Sequence, residues 1–114
     1  MRKSKIRKTL IKAKERIEQE GWTQGKMWRP IGDSSLHGPV CALGALTYAV
    51  YGNYRVWETL SQRKITLMDA CENEIKKFIP DEILKVSLVA YNDKIGRTEK
   101  EILALFNSAI EWLK

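Results

Sequence analysis

No charged residue occurs from Ser34 through Tyr54, the longest such gap in the chain. Inside it lies Pro39-Val-Cys-Ala-Leu-Gly-Ala-Leu-Thr-Tyr-Ala-Val-Tyr51, whose apolar residues fall on every side of a 3.6-residue wheel. A helix that is apolar all round is buried. Ala42, Gly44, Ala45 and Ala49 are small, so other elements can approach its backbone closely. The stretch therefore predicts a buried central helix at about 39–51. The expected fold class is all-α, a compact orthogonal bundle of five or six helices around that helix.

The chain has 114 residues, enough for one domain spanning 1–114. The 12-residue apolar run Val40–Tyr51 falls short of the roughly 20 residues of a membrane span. No apolar segment of the signal-peptide kind follows the basic start. The expectation is a protein with no membrane contact, in the cytoplasm, or in the host cytoplasm if of phage origin. Cys41 and Cys71 each sit in an apolar helical pattern, which suggests reduced thiols rather than a disulfide framework. Charge is unevenly placed. Arg2, Lys3, Lys5, Arg7, Lys8, Lys12, Lys14 and Arg16 face only Glu15 within residues 1–16, so the net charge of +6 belongs to the first helix.

Ile6, Leu10, Ala13 and Ile17 give that helix an apolar stripe over about 4–20, with Ser4 as N-cap and Gly21 closing it. Residues 21–38 form a long loop that Trp22 and Trp28 should anchor. Gly38-Pro39 opens the central helix, with Pro39 in its first turn, and Gly52-Asn53 ends it. A short helix is expected over 54–64, then one over 67–78 capped by Thr66 and stopped by Pro80. Asp81 can cap a turn through Leu84. Residues 85–91 suggest an extended segment or a helical turn. Thr98 and Glu101 form a capping box for a last helix over 99–113.

Three polar constellations interrupt the apolar pattern: the Gly21–Gly25 loop, His37–Cys41 and the Asn92–Arg97 turn. Gly21, Trp22, Gln24 and Gly25, then Cys41, Gly44, Ala45 and Leu46, then Tyr91, Asn92, Asp93 and Arg97 make up a combined pattern. The pattern reads Gly-Trp-x-Gln-Gly, Cys-x-x-Gly-Ala-Leu and aromatic-Asn-Asp followed by Arg. It resembles a family of small phage and actinobacterial proteins with no assigned function. Tyr91 stands where that family usually has Trp. The resemblance spans nearly the whole chain and implies a domain of that kind, but no activity.

The bland reading of Asn92, Asp93 and Arg97 is a structural turn with an Asp93–Arg97 pair. The sharper reading joins the three constellations in one cleft formed by Trp22, Gln24, His37, Cys41, Tyr91, Asn92, Asp93 and Arg97. A helix N-terminus there would offer free N–H groups to an anion. On that reading the protein is a non-enzymatic binding module for a small anionic, nucleotide-derived ligand. A phage could use it against host defence by sequestering a signal. One alternative is a nucleic-acid-binding or protein-binding adaptor that uses Arg2, Lys3, Lys5, Arg7, Lys8 and Lys12. Another is a hydrolase or transferase dependent on Cys41, whose place in a first helical turn favours thiolate. Buried free cysteines are more often structural, however. His37, Cys41 and Cys71 lack the spacing and the fourth ligand of a zinc site. No metal or cofactor is expected, and the oligomeric state is left open.

Overall fold

A computed structural model describes residues 2–32, 37–54, 61–82, 85 and 87–114. These build five helices: α1 (Lys3–Glu20), α2 (Ala42–Tyr51), α3 (Gln62–Lys76), α4 (Leu88–Asp93) and α5 (Glu99–Trp112). The fold is all-α, as the apolar periodicity requires. The stripe Ile6, Leu10, Ala13 and Ile17 is buried on α1, and Ile102, Leu105, Phe106, Ala109 and Ile110 are buried on α5. The capping box at Thr98 and Glu101 is formed.

No residue of α2 is exposed. The helix packs on α1, α3 and α4, while α3 touches all four of the others. Gly44 has a specific reason to lack a side chain: a Cβ there would overlap the Met27 carbonyl oxygen. The close neighbour is thus loop backbone rather than a second helix.

Several boundaries differ from expectation. The helix α2 starts at Ala42, three residues after Pro39, with Cys41 as N-cap. Backbone pairing accounts for the delay. Val40 donates to Gly21 O and accepts from Thr23 N, Cys41 N donates to Met27 O, and Arg29 N donates to Pro39 O. These bonds hold residues 39–41 extended, so the supposed irregular loop is tied by a short ladder to the start of α2. Trp22 and Trp28 pack against the core, as expected.

Arg2, not Ser4, is the N-cap of α1, and it makes no side-chain cap bond. Thr66 lies inside α3, which starts at Gln62 after an extended Ser61. Nothing between Ser61 and Pro80 breaks a helix, so α3 takes up residues 62–64 of the expected 54–64 helix. Residues 55–60 of that helix, and Ile83 and Leu84 of the expected turn, lie outside the described residues. Within 85–91 the helical alternative holds from Leu88, capped by the Ser87 hydroxyl, which accepts from Ala90 N.

Candidate functional site

The Gly21–Gly25 loop and the Asn92–Arg97 turn meet the start of α2 at Asn92, whose partner there is Ala42 rather than a residue of 37–41. The Asn92 side chain is wholly buried at the end of α4. Its Oδ1 accepts from Trp22 Nε1 at 2.7 Å and from Ala42 N at 3.0 Å. Its Nδ2 donates to Thr23 O at 3.2 Å and to Asp93 Oδ1 at 2.9 Å. Gln24 Nε2 donates to the carbonyls of Asn92 and Lys94, both at 2.9 Å. Asp93 Oδ1 also accepts from Gly25 N at 3.0 Å.

The network occupies the N-terminus of α2. Ala42 N is taken by Asn92, and Gly44 N donates to Cys41 Sγ at 3.2 Å. A helix N-terminus attracts anions through unpaired N–H groups. Here these two already have acceptors within the chain.

Arg97 does not pair with Asp93. Its Nη1 lies 2.8 Å from Glu101 Oε2, its Nε donates to Tyr91 O at 2.9 Å, and its guanidinium stacks 3.7 Å over the Tyr91 ring. Glu101 is one helical turn along α5, a spacing that suits such a pair. The hydrogen bond from Arg97, then that from the Thr98 N–H, hold the Glu101 carboxyl below its usual value.

His37 stands apart from this network. It is exposed, with Nδ1 3.3 Å from Glu20 Oε1. Glu20 also accepts from Gly38 N at 2.7 Å. That bond lowers the Glu20 pKa most; burial opposes it, and His37 and Arg16 add to it. Glu20 escaped the sequence reading, although an acid at the C-terminal end of a helix opposes the dipole and so signals a partner.

Cys41 is buried, and burial pushes its thiol pKa up, with Asp93 adding to the rise. The N–H groups of Gly44 and Leu43 act the other way but do not win. The sulfur serves as an N-cap acceptor. Cys71, also buried, is pushed up to about 12, chiefly by burial and then by Glu72 and Glu74. Among the described residues, no three His, Cys, Asp or Glu side chains form a metal-binding group.

A family of unknown function, DUF6197, matches residues 1–111. The chain belongs to it. Comparison with curated proteins and with solved structures gives no match. Membership of DUF6197 therefore fixes kinship and leaves activity to be argued from geometry.

The basic helix is the other candidate in this DUF6197 protein. Arg2, Lys3, Lys5, Lys8 and Lys12 are exposed. Arg7 is half-buried, and its Nε donates to Ile110 O at 3.2 Å. Arg16 is turned inward: its Nε donates to Tyr54 OH at 3.1 Å and its guanidinium lies 3.7 Å over Tyr48. The outward charge thus lies on the first three turns of α1. Among the described residues, no helix is long and apolar enough to cross a membrane.

Proposed function

We propose that the protein is a nucleic-acid-binding adaptor that docks the phosphate backbone on the exposed cations of α1. One observation carries this reading. Arg2, Lys3, Lys5, Lys8 and Lys12 form no ion pair among the described residues. The first turn of α1 holds no acid and its last turn no base, the reverse of what the helix dipole favours. A surface that merely kept the chain soluble would gain from intermixed signs and from cations at the other end. A polyanion along the first turns removes both penalties and releases counterions.

A small anionic ligand at the Asn92 cluster, with its use against host defence, would have to displace bonds that Trp22, Gln24, Ala42 and Asp93 already make. The α1 surface needs no such rearrangement, which favours the adaptor reading.

Fluorescence anisotropy with labelled duplex and single-stranded DNA tests it. The parent should bind at low salt, with log K falling linearly in log salt. Neutralising Arg2, Lys3, Lys5 and Lys8 to Gln together should abolish binding. A parent that binds neither probe at low salt ends the proposal.

A further inference from the structure

The start of α1 and the start of α3 share a groove of about 490 Å3. Arg2 and Lys5 line it from α1, and Arg63 and Lys64 from α3. Val50 and Leu67 supply apolar wall, and Ser61 completes the lining. No described carboxylate lines it. Arg2, Lys5 and Arg63 are exposed, and Lys64 Nζ lies 5.8 Å from the centre of the Tyr51 ring.

Four cations from segments about sixty residues apart in sequence are brought to one concavity. Like charges so gathered repel unless an anion lies among them. The end of α2 at Tyr51 offers only about −0.5 charge as a helix terminus, far too little to balance four. Lys3, Lys8 and Lys12 are exposed on the same helix as Lys5, so the groove adjoins further outward positive charge on α1. Its volume falls in the roughly 300–1,000 Å3 range of sites that enclose a small-molecule-sized group, which suits one nucleotide unit.

We infer that this groove seats a backbone phosphate of a bound nucleic acid, held by Arg2, Lys5, Arg63 and Lys64. The assignment rests on the adaptor reading and adds α3 to it. Arg63 and Lys64 carry no role in the sequence reading. Two adjacent cations right after a helix cap were the available signal.

The test leaves every α1 cation in place. Arg63→Gln with Lys64→Gln should weaken DNA binding on the order of tenfold at low salt and lower the log–log salt slope by about 2, near 0.9 per lost contact on duplex. Arg63→Gln alone, at an exposed position, should lower the slope by about 1, and it guards against misfolding of the double variant. Lys26→Gln with Lys100→Gln removes the same charge from exposed positions outside the groove and should leave the slope unchanged. If the parent binds and the groove variants bind equally well, the groove is wrong while the α1 surface stands. Equal losses in both double variants would mean that net charge alone matters, which also overturns the groove. Competition by polyglutamate as strong as by unlabelled DNA would make the occupant an acidic protein and overturn it too. If the parent binds no DNA, both readings fall.

Discussion

Asn92 Oδ1 caps Ala42 N across 3.0 Å, closing the first turn of α2 from fifty residues along the chain. The same oxygen holds Trp22 Nε1 at 2.7 Å. One buried amide therefore ties α2, α4 and the loop after α1 together. Buried polar networks of this kind specify a unique arrangement when every member is satisfied.

Asn92→Ala removes the acceptor from both donors and two donated bonds with it. An unsatisfied buried donor costs about 1–3 kcal/mol, and a lost cap about 1 kcal/mol. The expected loss is about 3–5 kcal/mol, read by urea unfolding. That is a large share of the roughly 5–15 kcal/mol that holds a domain folded. A loss below about 1 kcal/mol would show that the cluster is not structural and would return it to the ligand-binding reading.

Gly44→Ala adds a single methyl group where the Met27 carbonyl already lies. The same carbonyl accepts from Cys41 N at 3.0 Å. Loop backbone cannot swing aside as a flexible side chain can, so the methyl must break that bond or shift α2. Overpacking of this sort costs about 1–3 kcal/mol, despite the gain in helix propensity from Gly to Ala. A variant as stable as the parent in thermal unfolding would mean that Met27 does not approach α2 so closely.

The helices were legible because their apolar stripes are local. Leu10 and Ile17 on α1 and Phe106 and Ile110 on α5 announce their burial through spacing alone. The start of α2 was not, because Pro39 favours a helical first turn by itself and loses to backbone pairing with Gly21, Thr23 and Arg29. The meeting of Trp22, Gln24 and Asn92 was open to suspicion from sequence, since each is a polar interruption of an apolar pattern. What they do on meeting was not. Whether Asn92 Oδ1 faces a ligand or Ala42 N depends on a tertiary approach that no spacing encodes. Arg97 shows the same limit: Asp93 and Glu101 both lie four residues away, and only the structure selects Glu101.

Glu20 should make the loop pH-sensitive. The Gly38 N–H lowers its folded-state pKa below the usual 4.5. The folded chain therefore holds that proton less readily than the unfolded chain. Its stabilising contribution is complete above 4.5 and fades as pH falls through the folded value. Glu20→Gln keeps an acceptor for Gly38 but removes the charge. The variant should be the less stable protein at neutral pH, and the two stability curves should converge on acidification below the usual carboxyl value. Parallel curves across that range would show that Glu20 carries no folding-linked titration.

The thiols test the remaining enzymatic reading. A Cys41 nucleophile would need to be thiolate near neutral pH, and its place at the start of α2 favours that form. Burial opposes it and prevails, raising the pKa above its ordinary 9.0. Cys71, at about 12, is more strongly suppressed. Iodoacetamide at mildly alkaline pH should thus label neither residue at the rate of a free thiol in the folded protein. Both should label rapidly in urea, where burial is lost. Peptide mass analysis of a time course separates the two sites. Labelling of Cys41 at the free-thiol rate without urea, with Cys71 protected, would show a thiol that is reachable and ionised despite its cap bond to Gly44 N. That result would revive the Cys41-dependent hydrolase or transferase.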